Sequence, residues 1–284
     1  MTHDRMLPEG CFDGRVVLVT GGGTGLGLEI ARRAAALGAR VVIASRNADH
    51  LAAGAAEIRT CGAEALTIPT DVRDYRQVRA MVRTTLDRFG RLDALVNNAA
   101  GNFVRPAERL PEEAFRNVID IVLNGSFFCS RAAGRSMIER GGGGSILNIL
   151  ATYAWTGGPG TIHSACAKAG VLAMTRTLAV EWARHGIRVN GVAPGPFESE
   201  GAQARLWPTP ELEQSIRRRI PLGRFARTSE VANAALYLLS DFAEYVTGEV
   251  LTLDGGAWLG RPLGGSEADG SIPLVRRKRP SHGV

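Results

Sequence analysis

Residues 15–27 read RVVLVTGGGTGLG. The β-branched run at 15–20 has the pattern of a buried strand, and it ends in glycines. From residue 25 the segment GLGLEIARRAAALG keeps helical spacing and closes on Gly38, a C-terminal helix signal. A glycine-rich turn between a strand and a helix has a physical use. Glycine accepts the tight turn, and bare backbone N–H groups at the helix start can approach a pyrophosphate. The spacing is GxxxGxG, with glycine at 21, 25 and 27, rather than GxGxxG. Such a turn can be purely structural. Its place at the opening of a βαβ unit favours dinucleotide binding.

The rest of the chain repeats the alternation. Strands are predicted at 40–44, 65–69, 92–96, within GGGGSILNIL (141–150), at 188–192 and at 250–253. Helices are predicted at 47–59 with Asn47 or Asp49 as N-cap, 75–89, 111–140 with Pro111 in its first turn, 161–185, 210–218 and 229–239. Most strand candidates are continuous apolar runs, the mark of a parallel sheet covered on both faces. Right-handed crossovers then give an α/β, doubly wound, Rossmann-like fold of about seven strands in a single domain. The expected division is an N-terminal extension at 1–12, the nucleotide-binding domain at 13–258, and a basic, flexible C-terminal tail at 259–284.

The chain has 284 residues, 45% of them hydrophobic, enough to bury a full core. Its formal charge is +6 and its pI about 9.6. Four of the positive charges are Arg276, Arg277, Lys278 and Arg279. One short basic cluster in a Pro/Gly/Ser-containing tail argues more for a solvated end than for nucleic-acid binding. Cys11, Cys61, Cys129 and Cys166 show no CxxC pair and no metal-ligand spacing, so isolated thiols in a reducing compartment and no metal are expected. The first residues carry no apolar signal segment, and no apolar run is long enough to span a membrane. The expectation is a cytoplasmic protein.

Residues 151–170, ATYAWTGGPGTIHSACAKAG, hold a second chemistry-bearing pattern. Lys168 stands among small residues on a predicted helix, and Ser164 lies four residues earlier on the same helix face. Tyr153 follows the apolar run SILNIL, where a strand should end. A tyrosine there and a lysine one element later can point into one cleft. An ammonium in that cleft can hold a hydroxyl-rich cofactor and favours the charged form of a nearby phenol. The pattern alone also allows Lys168 as a surface lysine and Tyr153 as a half-buried core residue.

The second predicted strand runs into Ala44-Ser45-Arg46-Asn47. An NAD site usually carries an acidic residue here to hold the ribose 2′-hydroxyl, and none is present. Ser45 and Arg46 offer a hydroxyl and a planar cation, which suit a 2′-phosphate. Arg46 can also be read as a solvent-facing arginine at a helix start. The expected cofactor is NADP(H). Asp71-Val72 follows the third strand and can meet the adenine edge, with Asp71 accepting from the exocyclic amine; an N-cap role for Asp71 stays open.

TGGGTGLG (20–27), NNAAG (97–101), Asn124 in the long predicted helix, Lys168 and Pro194-Gly195 occur in this order. Together they resemble the short-chain dehydrogenase/reductase family over about residues 13–258. The resemblance assigns to the cofactor Gly21, Thr24, Gly25, Leu26 and Gly27, then Ser45, Arg46, Asp71 and Val72. It adds Asn98, Ala99, Lys168, Pro194 and Gly195. Most of the family carry YxxxK, with a serine seventeen residues before the lysine. Here those two positions hold Ser164 and Ala151.

A sub-branch that the chain resembles, the 2,4-dienoyl-CoA reductases, matches this departure. That branch has its tyrosine at the position of Tyr153, a serine at Ser164, and an NNAAGNF segment whose residue at Asn102 faces the substrate. DIVLNG (120–125), SACAKAG (164–170) and PGPFESEGAQARL (194–206) are also similar to it. The histidine of TIHSACAKAG instead resembles the trans-2-enoyl-CoA reductases. The resemblance implies NADPH-dependent reduction of a 2,4-dienoyl-CoA to a 3-enoyl-CoA, with hydride sent to the δ-carbon. Tyr153 and Asn102 would hold the dienolate oxygen, Lys168 the nicotinamide ribose, Ser164 the ribose or nicotinamide, and Asn124 would position Lys168 through water. Phe103, Trp155 and the loop 196–207 are expected along the acyl pocket, and Arg105 or Arg205 near CoA phosphates. The alternatives are a trans-2-enoyl-CoA or 3-oxoacyl thioester reductase of the same family, and a non-catalytic nucleotide-sensing module. The family also implies a homotetramer formed through the helices at 111–140 and 161–185.

Overall fold

The computed structural model describes residues 6–199, 206 and 209–259. The expected tail lies beyond them, apart from its first residue. β1 (Val16–Thr20) is buried along its whole length. Val17 and Val19 enter one apolar cluster, and Val16 and Leu18 enter another on the opposite face. A strand buried on both faces has no polar alternation, which is why it reads as one apolar run. α1 (Gly25–Ala36) follows it. Then come β2 (Arg40–Ser45), α2 (Ala48–Arg59), β3 (Ala65–Pro69), α3 (Tyr75–Phe89) and β4 (Ala94–Asn97). The seven strands form one parallel sheet in the order β3-β2-β1-β4-β5-β6-β7, where β5 is Gly144–Ile149, β6 is Ile187–Pro194 and β7 is Val250–Leu253. The direction of winding reverses between β1 and β4, so the carboxyl ends of those strands flank a crevice.

Local capping follows side-chain chemistry. Asn47 caps α2 by accepting from the His50 N–H at 3.0 Å, so Asp49 is not the cap. Asp74 caps α3 by accepting from Arg76 N–H at 2.8 Å, which removes the N-cap reading of Asp71. Leu7 and Phe12 precede the boundary expected at residue 13, yet both are buried in the core that α1 covers. The packed body therefore begins earlier in the chain than composition implies.

The single helix expected over 111–140 is three pieces. α4 (Glu112–Ile119) leads into a π-helical turn, Asp120–Asn124, and then α5 (Gly125–Arg140). Pro111 is the N-cap rather than a first-turn residue. Asn124 Nδ2 donates to Asp120 Oδ1 at 2.7 Å, and the Ser126 hydroxyl donates to the Val122 carbonyl at 2.6 Å. Hydrophobic period alone does not separate this bulge from a continuous helix. α6 (Tyr153–Thr156) is one short turn after β5, and α7 (Ile162–Trp182) ends in a 3₁₀ turn at Ala183–His185. α8 (Pro210–Arg218) and α9 (Thr228–Leu239) precede β7.

α1, α2 and α9 bury Ile30, Leu51, Ile58 and Val231 on one face of the sheet. α3, α5 and α7 bury Val78, Met81, Cys129, Met137 and Leu178 on the other. Buried amides stitch this second layer to the strands. Asn97 Nδ2 donates to Asn148 Oδ1 and to the Ser130 hydroxyl, both at 2.8 Å, and Asn148 Nδ2 donates to the Thr175 hydroxyl at 2.9 Å. Among the described residues, no helix is long and apolar enough to cross a membrane.

The turn that opens the fold is packed without slack. Gly21 has φ +65° and Gly25 φ +55°, backbone that L side chains rarely adopt. A Cβ at Gly27 would lie 2.4 Å from the Gly21 carbonyl oxygen and 2.5 Å from Asn98 Nδ2. Gly27→Ala is expected to cost about 1–3 kcal/mol through this overpacking. Urea unfolding checks it by a lowered midpoint; an unchanged midpoint would show that the turn relaxes freely.

Candidate active site

Two clefts adjoin at Ala100, which lines both. The first, about 560 Å³, is bounded by Gly21, Ser45, Arg46, Asp71, Val72 and Ala99 among others. The second, about 440 Å³, is bounded by Leu26, Asn98, Asn102, Tyr153, Lys168, Pro194 and Gly195 among others. Thr24 and Gly25 open instead on a neighbouring cleft beside Ser199, and Gly27 packs behind the turn.

The glycine turn is braced from the next strand. The Thr20 hydroxyl accepts from the N–H groups of Asn98 and Ala99, each at 3.1 Å, and donates to the Val96 carbonyl at 3.2 Å. Asn98 Nδ2 donates to the carbonyls of Thr20 and Gly21 at 3.0 and 3.2 Å. Asn98 therefore acts on the turn through its amide. At the start of α1, Thr24 makes no side-chain cap bond and the first turn carries no acidic residue. The helix start thus keeps donors and a positive dipole end, which fits a pyrophosphate.

At the other end of the first cleft, Arg46 is exposed and forms no hydrogen bond or ion pair among the described residues. Asp71 is already engaged: it receives Arg73 Nε at 3.0 Å and Arg73 Nη2 at 2.6 Å. These hydrogen bonds hold the Asp71 carboxyl below its ordinary pKa. Arg73 Nη1 also donates to Asn117 Oδ1 at 3.1 Å, which ties this loop to α4.

The second cleft ends in a run of polar side chains. The Tyr153 hydroxyl lies 3.0 Å from the Ser164 hydroxyl. Asn102 Nδ2 donates to the Tyr153 oxygen at 3.3 Å, and Asn102 Oδ1 accepts from Phe103 N–H at 2.9 Å. His163 Nε2 lies 3.2 Å from the same Oδ1. Burial raises the Tyr153 pKa, opposed in part by Ser164, so the phenol keeps its proton. Lys168 is 6% exposed, and its ammonium donates to the Ile149 carbonyl at the end of β5. Burial pulls Lys168 down to about 8. The loops that carry these groups are tied together by Arg105 N–H donating to the Gly160 carbonyl at 2.8 Å.

Asn124 sits on the π-helical turn, bonded to Asp120, and Leu123 of that turn presses on α7, where a Cβ at Gly170 would lie 2.8 Å from Leu123 Cδ2. Phe103 and Trp155 do not form the cleft wall. Phe103 stacks on His163 with centroids 4.2 Å apart, and Trp155 meets Trp258 edge-on at 5.7 Å. Pro196, Phe197 and Leu206 do line it. Arg105 is exposed, and Arg205 lies outside the described residues. The sequence shows His163 only as a likeness to the trans-2-enoyl-CoA reductases and gives it no role in the site; the structure sets it against Asn102. No group of three or more His, Cys, Asp or Glu among the described residues is placed to hold a metal ion.

A family model described as enoyl-(acyl carrier protein) reductase matches residues 21–257. A probable 2,4-dienoyl-CoA reductase of Bacillus subtilis, named as producing (2E)-enoyl-CoA, is 46% identical over 86% of this chain and 97% of its own length. A peroxisomal 2,4-dienoyl-CoA reductase of Arabidopsis thaliana, named as producing (3E)-enoyl-CoA, is 41% identical over 88% of this chain and 86% of its own. The crystal structure of a short-chain dehydrogenase from Bacillus anthracis superposes with a TM-score of 0.81 at 47% identity, covering 88% of this chain and 99% of that one. A doubly wound sheet with a glycine-turned nucleotide crevice defines an oxidoreductase that takes a nicotinamide nucleotide. The chain belongs to the short-chain dehydrogenase/reductase family, on the side of it that the dienoyl-CoA reductases occupy.

The Lys168 burial has a measurable consequence. Its folded pKa lies below the ordinary 10.5, so between about 8 and 10.5 the unfolded chain binds the extra proton and stability rises with pH. Below about 8 the ammonium is charged in both states and its desolvation cost is fully present. The unliganded Lys168→Met variant is expected to melt a few degrees above the parent at pH 7, with the gap closing toward pH 10.5. Melting curves across that range check it; a lower melting point at pH 7 would mean that the Ile149 bond outweighs desolvation.

Proposed function

We propose that the enzyme reduces 2,4-dienoyl-CoA thioesters with NADPH. The observation that carries this reading is the pairing of the Tyr153 hydroxyl with the Asn102 amide at the mouth of the Lys168 cleft. Position 151, where most of the family place a catalytic serine, holds alanine. A ketone reductase needs an acid and a carbonyl anchor on that side. A dienoyl thioester needs only a clamp for the oxygen on which charge collects.

When bound, the nicotinamide supplies the hydride that the substrate's δ-carbon accepts. Charge then moves along the conjugated chain to the thioester oxygen. The Tyr153 O–H and Asn102 Nδ2–H are the donors to that oxygen. The raised pKa of Tyr153 keeps the O–H in place to donate. Lys168 holds the ribose hydroxyls and keeps the local field positive, while Ser164 supports the ribose or nicotinamide. Asn124 positions Lys168 through water. Pro196, Phe197 and Leu206 give the acyl chain an apolar wall.

Protonation of the dienolate at the α-carbon, from water, yields the 3-enoyl thioester; protonation at the γ-carbon would yield the 2-enoyl. The names of the two relatives divide along this line, and we place this enzyme with the 3-enoyl producers. Cofactor preference rests on Arg46, whose exposed guanidinium, without a hydrogen bond or ion pair among the described residues, borders the cleft where a 2′-phosphate would sit, and on Asp71 being already paired. The enoyl description of the matching family model keeps a 2-enoyl thioester as the second reading. Assembly as a homotetramer is part of the same proposal, with Phe127 on α5 and Ile162 and Val180 on α7 as exposed apolar positions for it.

NADPH oxidation with 2,4-hexadienoyl-CoA, trans-2-hexenoyl-CoA and acetoacetyl-CoA, side by side, tests the reading. Turnover confined to the dienoyl thioester is expected, and turnover confined to acetoacetyl-CoA would overturn it. Tyr153→Phe and Asn102→Ala should each lower kcat about 100- to 1,000-fold while NADPH still binds. A near-normal rate in Tyr153→Phe removes the phenol from the reaction. Arg46→Ala should raise KM for NADPH about 10- to 100-fold and leave that for NADH unchanged, the loss of one charge-assisted contact.

A further inference from the structure

We infer that His163 is a positioning residue that locks the Asn102 carboxamide with its N–H groups toward the substrate oxygen; this rests on the oxyanion role proposed for Asn102. The argument starts from which atom must be which. Phe103 N–H can only donate, and it meets Asn102 at 2.9 Å, so the atom there is the carbonyl oxygen Oδ1. The amide nitrogen then faces the Tyr153 hydroxyl at 3.3 Å. Oδ1 can only accept, so the His163 Nε2 at 3.2 Å from it must carry the proton. One imidazole N–H and one backbone N–H pin the same oxygen, and rotation of the amide would break both bonds.

His163 is built to hold that proton in place. Its ring is fully buried and stacks on Phe103 at 4.2 Å with an interplanar angle of 16°. Nδ1 is buried without a hydrogen-bond partner among the described residues. Moving the proton to Nδ1 would strand a donor there and set two lone pairs against each other at Nε2 and Oδ1. Burial also lowers the His163 pKa, opposed in part by a hydrogen bond with the Phe103 backbone, and the net shift is downward, toward the neutral ring. Among the described residues His163 makes no hydrogen bond to Tyr153 or Lys168; its route to the reaction is the Asn102 amide.

Two measurements test this, one of them independent of turnover. The ¹⁵N spectrum of the histidine rings in the free protein should show His163 protonated at Nε2, with a slowly exchanging proton that Asn102→Ala releases; an Nδ1-protonated ring overturns the inference. This arm decides the matter even if no thioester is turned over, an outcome that would sink the proposed function alone. In the second arm, His163→Leu should lower kcat with the dienoyl thioester about tenfold and leave NADPH binding unchanged. His163→Gln, which returns an N–H at similar reach, should recover most of the rate. In an Asn102→Ala background, His163→Leu should add less than a twofold loss. A full tenfold loss in that background, or equal loss in the Leu and Gln variants, would show that His163 acts otherwise than through Asn102.

Discussion

A lysine ammonium buried at the carboxyl end of β5 sets the terms for the rest of the site. Water is almost excluded from it, and its partner among the described residues is the Ile149 carbonyl. A charge held this way costs stability unless a ligand or a field repays it. The surrounding helix carries small side chains on the packed side: Ala167 is buried, and Gly170 lets Leu123 close on α7. Leu123 presses in from the π-helical turn against Gly170. The irregular turn, the alanine-rich helix and the buried ammonium are thus one packing solution.

The same low-dielectric pocket acts on Tyr153 in the opposite chemical sense. Burial pulls the lysine toward neutrality and the phenol toward its protonated form. A phenol that keeps its proton is a donor, and the polar run from Ser164 through Tyr153 and Asn102 to His163 aims donors at one end of the cleft. The chemistry suited to that arrangement places charge on an oxygen rather than removing a proton from one. Under the proposed reaction, a fold common to alcohol oxidation and carbonyl reduction would accommodate a conjugated thioester, because the tyrosine opens the short α6 after β5 and does not stand on α7.

Much of this was legible in the chain. Continuous apolar strands, the glycine turn and the cap of α2, read as Asn47 or Asp49 and found at Asn47, are local, and residues 65–69 and 75–89 were delimited to the residue. Tyr153, Ser164, Lys168 and Asn102 were named from pattern and resemblance, and the structure sets Asn102, Tyr153 and Lys168 around one cleft with Ser164 bonded to the Tyr153 hydroxyl. What was not legible depends on contacts between distant segments. Helical period is blind to one extra residue per turn, so the bulge at Asp120–Asn124 passed as regular helix. Phe103 and Trp155 looked like pocket walls because aromatic residues near a site often are; here Phe103 stacks on His163 and Trp155 meets Trp258 edge-on.

The sequence by itself determined the layers, the strand and helix alternation, the nucleotide turn and the residue types available for chemistry. These follow from short-range spacing: which side chains share a face, and where glycine alone can turn. Tertiary structure alone decided how those groups act on one another. Asn102 and His163 are sixty-one positions apart, and Asp71 found Arg73 rather than a helix cap. Hydrogen-bond direction and burial are properties of packed space, and no spacing along the chain encodes them.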